Sequence, residues 1–323
     1  MAVLASIDVG SNAVRLLVAR TGGGVPLVRL RYERTATRLA EGLSASGRLK
    51  PGNMELTMEA MKKYSGIISS CEGLSGMRAV GTSALREAEN AGEFIRSVRQ
   101  QTGINLEAIT HEEEARLSAL GVVSLLKKKN DNDALILDMG GGSTEWMLTR
   151  GLGGGDFSLR RSGSFPVGVV KLAGLAAKKG EAALENEISA FAGALKSAVS
   201  TLPAGTVFIL TGGTASTLAS IDIGLKQYDH EKVHGHEMGL GRIAAMRRTL
   251  SSLSLEQRRS VPGLEPDRAD LIIPGLRLTI KIMEYFGLNR VISSDTGLPE
   301  GIVLDLDRLN SMERKKSGPD QPV

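Results

Sequence analysis

One pattern occurs twice in this chain, and it restricts the fold more than any other feature of the sequence. In residues 7–20, an apolar stretch runs into Asp8-Val9-Gly10, a bend of small residues follows, and a second apolar stretch ends in arginine. Residues 137–150 repeat this order around Asp138-Met139-Gly140. Because each copy opens its own half of the chain, we interpret the repeat as an internal duplication. It predicts two related α/β domains that face each other.

The length of the chain also favours two domains. A single core seldom grows beyond about 250–300 residues, and this chain has 323. The apolar-free segment 127–133 separates the two halves. We therefore predict a first domain of residues 1–127, which also takes a C-terminal helix at 299–310, and a second domain of residues 128–298. The tail, residues 311–323, contains lysines, glycine and prolines and is predicted to be disordered.

Composition and charge exclude several classes of protein. No stretch of about 18 or more apolar residues is present, so no membrane span or membrane partner is predicted. Asp8 lies within the first apolar stretch and no basic segment precedes it, so a signal peptide is not expected. Cys71 is the only cysteine, which excludes internal disulfides and favours a reducing cytoplasm.

The charge pattern favours a small polyanion over nucleic acid as the ligand. The formal net charge is +4 at pH 7, yet basic residues are scattered among acidic ones and aromatic residues make up only 3% of the chain. Nucleic-acid binding proteins usually present a basic stripe or aromatic stacking platforms. No nucleic-acid partner is therefore predicted.

Three turns of small residues are candidates for phosphate binding. A bend of Gly and Ser between two strands points several backbone N–H groups at one spot, without side chains in the way. Such bends follow Asp8 and Asp138, whose carboxylates are placed to hold a metal ion or its water shell. The turn Thr211-Gly212-Gly213-Thr214 leads from a strand into a helix, whose dipole favours anions. Walker and dinucleotide-binding glycine motifs are absent from the sequence, which disfavours P-loop and Rossmann folds.

These turns, together with Gly81-Thr82-Ser83-Ala84-Leu85-Arg86 and Glu113-Glu114-Ala115-Arg116, resemble the exopolyphosphatase/guanosine pentaphosphate phosphatase (Ppx/GppA) family. The similarity runs from Ala5 to about Leu306 and includes residues 138–145 and 268–275. Glycine-rich loops of this kind occur throughout the actin/Hsp70/sugar-kinase (ASKHA) superfamily, whereas the other two segments in this order are more specific. The resemblance implies an α/β fold of two duplicated actin-like (ribonuclease H-like) domains with a cleft between them. The chain resembles the short, two-domain form of the family.

The resemblance also implies a phosphohydrolase and assigns residues to its site. Glu114 would be the catalytic base that activates water, and Arg86 would contact the phosphoryl group under attack. Asp138 and Glu145 would hold a divalent metal ion, Mg²⁺ or Mn²⁺. The residues predicted to bind phosphate are Asp8, Gly10, Ser11, Asn12, Gly141, Gly142, Ser143, Thr144, Gly212, Gly213, Thr214 and Arg268.

The substrates implied by the resemblance are inorganic polyphosphate and guanosine pentaphosphate, with guanosine tetraphosphate as a further ligand. The resemblance also implies a homodimer. Two other functions stay open: a phosphotransferase of the same superfamily, similar to sugar or acetate kinases, and a non-catalytic sensor of polyphosphate or guanosine nucleotides.

From the residues alone, the role of Glu114 is open. Thr110 and Glu113 predict a capping box, and Glu112 suits a helix N-terminus. Glu114 is then either a surface charge of this helix or a residue that faces the cleft. Contact of Arg15 with the substrate is equally open, because Arg15 follows the first bend but alternates with apolar neighbours.

One further motif is interpreted as structural. Residues 230–234 spell H-E-x-x-H, the zinc-protease signature, which requires a helix with apolar support. Gly235 follows directly and helical periodicity is missing before the motif. We predict a polar loop here and no zinc site.

Overall fold

Two β-sheets with repeated topology form the framework of the computed structural model, which describes residues 1–22, 27–126, 130–152 and 157–316. In the first sheet the strand order is β3-β2-β1-β4-β5. Strands β1, β2 and β3 are antiparallel neighbours, whereas β4 and β5 run parallel to β1. These strands are β1 (Ala2–Val9), β2 (Ala13–Thr21), β3 (Val28–Ala36), β4 (Leu74–Gly81) and β5 (Leu106–Ala108).

The second sheet repeats this arrangement and adds one edge strand, in the order β10-β11-β9-β6-β7-β8. Strands β6, β7 and β8 are antiparallel neighbours, and β9 and β11 run parallel to β6. The same order of antiparallel and parallel neighbours in both sheets supports the predicted duplication. These strands are β6 (Asn130–Met139), β7 (Thr144–Leu152), β8 (Ser158–Phe165), β9 (Val207–Thr211), β10 (Glu237–Gly239) and β11 (Arg290–Ser293).

Helices occupy the connections between the strands. In the first half they are α1 (Leu43–Ser46), α2 (Pro51–Ser69), α3 (Ser83–Glu87), α4 (Ala91–Thr102) and α5 (His111–Leu125). In the second half they are α6 (Val169–Lys179), α7 (Glu181–Val199), α8 (Gly213–Ile223), α9 (His230–Val233), α10 (Leu240–Ser251), α11 (Leu255–Arg259), α12 (Ile272–Phe286) and α13 (Leu298–Lys316), with a 3₁₀ turn at Pro266–Arg268. None of the helices in the described ranges is long and apolar enough to cross a membrane.

Strands β1 and β6 occupy equivalent central positions, and most of β1 and residues 134–139 of β6 are apolar. Both strands are flanked by strands on each side and covered on both faces, so a strict alternation of apolar and polar residues is not required. Near its C-terminal end each strand carries an aspartate, Asp8 in β1 and Asp138 in β6. The duplicated sequence pattern therefore places two carboxylates at equivalent sheet edges.

Each sheet is covered by a helix from the other half of the chain. Helix α5 packs on β7 and β8 of the second sheet, where Ala119, Val122 and Val123 join a core cluster with Ile136 and Met147. Helix α13 packs on β1, β2 and β4 of the first sheet, where the buried side chains of one cluster are Leu4, Leu17, Ala19 and Val303.

Helices α5 and α13 cross at backbone contact. A Cβ atom on Gly121 of α5 would overlap the carbonyl oxygen of Gly297, and one on Gly301 of α13 would overlap that of Leu117. Only glycine leaves enough room at these two positions. The crossing fixes α5, which carries Glu114, against the start of α13.

Several predicted bounds differ from the structure. Of the segment 127–133 that was predicted to separate the two halves, residues 130–133 instead begin strand β6. Residues 127–129 lie outside the described ranges. Helix α13 continues to Lys316, which makes residues 311–316 helical; the remainder of the predicted tail also lies outside these ranges. The domain boundary at residue 128 stays a prediction.

The H-E-x-x-H segment is not a loop throughout, because His230–Val233 forms the four-residue helix α9. Its second histidine is used structurally. Nε2 of His234 donates to the Leu125 carbonyl oxygen at 3.0 Å, and Nδ1 accepts from the Asp295 N–H at 3.3 Å. Both ring nitrogens therefore have backbone partners, which supports the interpretation of the motif as structural.

Candidate active site

The two bends that follow Asp8 and Asp138 meet across the two halves. Each is closed by the same hydrogen bond: Gly10 N–H donates to the Ala13 carbonyl at 3.1 Å, and Gly140 N–H donates to the Ser143 carbonyl at 3.0 Å. A Cβ atom on Gly141 would lie 3.1 Å from Cβ of Ser11. The halves therefore fold face to face, and both bends border one cavity.

This cavity has a volume of about 70 Å³ and lies between the two sheets. One water molecule needs about 10–15 Å³ measured in this way, so there is room for about five water-sized atoms, the size of one phosphoryl group. Most of the predicted site residues line it: Asp8, Gly10, Ser11, Asn12, Glu114, Asp138, Gly141, Gly142, Ser143, Gly213, Thr214 and Arg268.

Four predicted site residues are not among those that line this cavity. Gly212 has a φ of 84°, a left-handed conformation that favours glycine, and borders a smaller adjoining cavity. Thr144 is fully buried and donates from Oγ1 to the Val167 carbonyl at 2.6 Å, which is a structural contact. Arg86 lies beside Glu114, with its Nη1 2.6 Å from Oε2 of that residue, and its Nη2 lies 4.0 Å from Oε1 of Glu145.

The carboxylates at the strand ends carry more negative charge than the described side chains neutralise. Oδ2 of Asp8 lies 3.3 Å from Nε of Arg15, but Oδ1 is buried without a hydrogen-bond partner in the described ranges. Oδ2 of Asp138 accepts from the Ser118 hydroxyl at 2.7 Å, and Glu145 is its cross-strand neighbour. Burial, together with the charge of Glu145, raises the pKa of Asp138 to about 6.

Glu114 faces the cavity because helix α5 begins at His111. Thr110 caps this helix, since its hydroxyl accepts from the Glu113 N–H at 3.2 Å. The side chain of Glu114 lies in the first turn and is only 6% exposed. The alternative of a surface helix charge is therefore wrong.

The predicted capping box is only half formed. The Glu113 carboxylate does not return to the Thr110 backbone; it accepts instead from Arg78 at 3.1 Å and from Arg116 at 3.1 Å. These two ion pairs keep Glu113 on the side of the helix away from the cavity. Sequence spacing alone does not reveal them, because Arg78 belongs to strand β4.

Arg86 holds Glu114 in place. Its Nη1 donates to Oε2 of Glu114 at 2.6 Å and to the Ile109 carbonyl at 2.9 Å, and its Nη2 lies 2.9 Å from Nδ1 of His111. Burial and the charge of Glu145 raise the pKa of Glu114 well above its usual range, while Arg86 acts in the opposite direction. A carboxylate with a raised pKa is a stronger base than an ordinary one.

Ligand atoms of His111, Glu114 and Glu145 lie within 4.8 Å of one another, a spacing that a metal ion could bridge. The guanidinium of Arg86 already contacts all three side chains, at 2.9 Å, 2.6 Å and 4.0 Å respectively. A cation thus occupies the centre of this group. His111 belongs to none of the sequence motifs, and the one signal for it is its position at the start of α5, three residues before Glu114.

Three arginines also line the cavity. Arg15 and Arg34 are cross-strand neighbours in β2 and β3 and both line it, as does Arg268. The guanidinium of Arg268 packs against Gly213, where any Cβ atom would overlap it. Burial, together with the charge of Arg34, lowers the pKa of Arg268. Arg34 was missed because its place opposite Arg15 follows only from the strand register.

Known proteins of similar sequence and structure were found over nearly the whole chain. The sequence model of the Ppx/GppA phosphatase family matches residues 17–309. Exopolyphosphatase 2 of Mycobacterium tuberculosis is 28% identical over 320 residues, covering 94% of this chain and 98% of that protein. The bifunctional 3-dehydroquinate synthase/phosphatase of Fusobacterium nucleatum is 29% identical over 317 residues, covering 93% of this chain but only 46% of that longer protein.

A crystal structure of the Aquifex aeolicus member of the Ppx/GppA family has a TM-score of 0.78 and 30% identity, covering 96% of this chain and 98% of that chain. Together with the repeated sheet topology, this similarity confirms the predicted fold of two actin-like domains with a cleft between them.

Proposed function

This chain belongs to the Ppx/GppA phosphatase family, and we propose that it is a metal-dependent phosphohydrolase that releases the terminal phosphate of inorganic polyphosphate. The observation that carries the proposal is the buried carboxylate of Glu114 at the cavity where the two glycine-rich bends meet. Phosphoanhydride hydrolysis requires a water in line with the phosphoryl group, a base within hydrogen-bond reach and neutralisation of the phosphoryl oxygens.

Glu114 supplies the base in this proposal. Arg86 binds one of its oxygens, Oε2, so the carboxylate is held in one orientation while Oε1 is left for a water. The raised pKa brings the base closer to neutral pH, where a carboxylate removes a proton from water more effectively. Arg86 orients Glu114 and keeps a buried Nε that has no partner in the described ranges, available to a phosphoryl oxygen.

Backbone groups and arginines supply the charge neutralisation. The bends at residues 10–12 and 141–143 line the cavity with backbone, and helix α8 begins beside it at Gly213. Arg15, Arg34 and Arg268 add positive charge on the same side. This combination favours a terminal phosphoryl group whose remaining anionic chain leaves the cavity past the arginines.

The acidic residues fit a divalent metal ion. Mg²⁺ and Mn²⁺ prefer oxygen ligands, and the cross-strand neighbours Asp138 and Glu145 provide carboxylate oxygens, with the unpartnered Oδ1 of Asp8 nearby. We propose that Asp138 and Glu145 hold the ion. When bound, it would neutralise charge on the phosphoryl oxygens.

Metal binding is expected to depend on pH through Asp138. Its pKa is raised from 3.8 to about 6, so the folded protein without metal binds this proton more tightly than the unfolded chain and loses stability as pH rises between these values. A metal ion must displace the proton. Mg²⁺ is therefore expected to raise the melting temperature more at about pH 8 than at about pH 5, as measured by thermal unfolding.

The matched variant for this measurement is Asp138→Asn. It removes the charge but keeps the shape and the contact with Ser118. The Mg²⁺-dependent shift in melting temperature is expected to disappear in this variant. An equal shift in both proteins, or at both pH values, would contradict the assignment of Asp138.

Polyphosphate is proposed as the main substrate because exopolyphosphatase 2 of M. tuberculosis matches along almost its full length. The room for one phosphoryl group in the cavity suits any terminal phosphoanhydride. Guanosine pentaphosphate carries the same terminal anhydride and is the second substrate that we propose, with guanosine tetraphosphate as a ligand. The family resemblance further suggests a homodimer, and the single cysteine, Cys71, suits the cytoplasm.

A phosphate-release assay on the purified chain tests the proposal. Polyphosphate, guanosine pentaphosphate and ATP are compared, each with Mg²⁺ and after chelation. We expect metal-dependent release from polyphosphate without any added acceptor. ATP consumption that requires a sugar or acetate would instead indicate a phosphotransferase, and binding without release would indicate a sensor.

A further inference from the structure

Arg38 adopts a backbone conformation that non-glycine residues rarely hold. Its φ is 49°, in the left-handed region, and residues in that region persist only where their surroundings impose it. Asn53 provides part of that constraint, because its Nδ2 donates to the Thr37 carbonyl at 3.2 Å and to the Arg38 carbonyl at 2.6 Å. Such outliers cluster at functional sites.

The backbone around Arg38 holds the first phosphate bend. The Asn12 carbonyl accepts from the Arg38 N–H at 2.9 Å and from the Thr37 N–H at 3.1 Å, and the Ser11 carbonyl accepts from the Ala40 N–H at 3.0 Å. These bonds fix the backbone of Ser11 and Asn12, which line the cavity. The unusual φ of Arg38 is thus part of what shapes the bend.

The side chain of Arg38 reaches the other half of the molecule. Nη1 donates to Oδ2 of Asp270 at 2.9 Å, and Nη2 donates to Oδ1 of Asp270 at 2.9 Å and to the Asp267 carbonyl at 2.7 Å. These two acceptors flank Arg268 in the chain. A bidentate arginine–carboxylate pair fixes direction as well as distance, so Arg38 ties the first bend to the residues that carry Arg268.

The second bend is held in an equivalent way. The Gly140 and Gly141 carbonyls accept from the N–H groups of Val169 and Val170 at 3.0 Å and 2.9 Å. The next residue, Lys171, forms an ion pair with Glu87 of the first half at 2.8 Å. In both halves, the segment after the third strand therefore holds a phosphate bend and sends a cation to the opposite half.

We infer that Arg38 is a positioning residue, which sets the distance between the first phosphate bend and Arg268 and so the closed width of the phosphate cavity. This inference rests on the proposed function, because it concerns the same cavity. The pair with Asp270 is about one-third exposed on both sides, at 34% and 35%. Solvent screens part of its attraction, whereas its bidentate geometry fixes the direction of the contact, so we expect its effect on the cavity to exceed its effect on folding.

Arg38→Gly separates these two effects. Glycine adopts positive φ without strain, which offsets part of the stability lost with the ion pair, so the variant is expected to stay folded with a melting temperature close to that of the unmodified chain. A misplacement of about 1 Å can lower a rate by about 10²-fold. We therefore expect kcat/KM for polyphosphate to fall about 10–100-fold in Arg38→Gly while the fold is retained.

Two further variants test whether Arg38 acts through its ion pair with Asp270. Asp270→Ala is expected to lower kcat/KM to a similar extent, and the double variant to lose little more, because both changes remove one interaction. Arg48→Ala is the control, since Arg48 forms an exposed pair with Glu89 within the first half, at 3.4 Å and away from the cavity. It is expected to retain full activity.

The outcomes distinguish this inference from the proposed function. Unchanged kcat/KM in Arg38→Gly, or strictly additive losses in the double variant, would overturn the positioning role while leaving the hydrolase in place. If the unmodified chain releases no phosphate, the proposed function fails, and the same variants are compared by calorimetric binding of tripolyphosphate. Equal affinity of Arg38→Gly and the unmodified chain would then overturn the inference, and weaker binding by about tenfold or more would support it.

Discussion

Glu114→Gln is expected to fold and to bind polyphosphate like the unmodified chain, but to release phosphate about 10²–10⁴-fold more slowly, the usual contribution of a general base. Glutamine has the shape of glutamate, and its amide oxygen can still accept the hydrogen bond that Arg86 donates at 2.6 Å. What it lacks is the ability to take a proton from water. The loss is therefore expected in kcat, measured from initial rates of phosphate release at saturating substrate.

Glu112→Gln is the matched control for this variant. Glu112 belongs to the same first turn of α5 but is exposed to solvent, so the same chemical change there is expected to leave kcat nearly unchanged. The pH dependence gives a second check. Because burial raises the pKa of Glu114, the rate of the unmodified chain is expected to fall on acidification at a pH above the usual range of glutamate. Near-normal turnover by Glu114→Gln would exclude Glu114 as the base.

The second large effect is expected at the helix crossing. In Gly121→Ala, the added methyl group would overlap the Gly297 carbonyl, so α5 and α13 must move apart. Overpacking of this kind usually costs about 1–3 kcal/mol, and more where a backbone atom is the obstacle. It outweighs the gain of about 1 kcal/mol that alanine brings to a helix interior. Because α5 carries Glu114, the activity is expected to fall together with the free energy of unfolding, which is measured by urea titration.

Gly66→Ala provides the comparison. Gly66 lies within helix α2, and a Cβ atom there would meet nothing within 4 Å. The substitution is expected to raise the free energy of unfolding by up to about 1 kcal/mol. If Gly121→Ala were as stable as Gly66→Ala, the close approach of the two helices would not be needed for the fold.

The parts of the fold that depend on local sequence were predictable. The repeated strand–bend–strand pattern predicted both central hairpins, and the small residues of the bends predicted that a ligand could approach their backbone. The position of Glu114 was predictable only in part. Helical spacing placed the Glu114 side chain one position further round the helix than that of Glu113. Whether it faced solvent or the cavity depended on how α5 packs between the two sheets.

Other features of the site depend on contacts between distant parts of the chain. The role of Arg34 follows from its register opposite Arg15, and the pairing of Arg38 with Asp270 joins residues 232 positions apart. The contact of Arg86 with the phosphoryl group stays a prediction, but its pairing with Glu114 and His111 was not foreseen. Neither periodicity nor residue type carries information about such pairings, because they are set by the tertiary arrangement.

Because α5 covers the second sheet and α13 covers the first, the two halves cannot be separated without exposing apolar side chains. A fragment that ends before β6 would keep α5 without the second sheet, and its own sheet would lack α13, leaving Leu4, Leu17 and Ala19 open to water. The complementary fragment would expose Ile136 and Met147 for the same reason. Each fragment made alone should therefore aggregate, whereas the two produced together should recover a folded assembly, so the duplicated units have become obligate partners within one polypeptide.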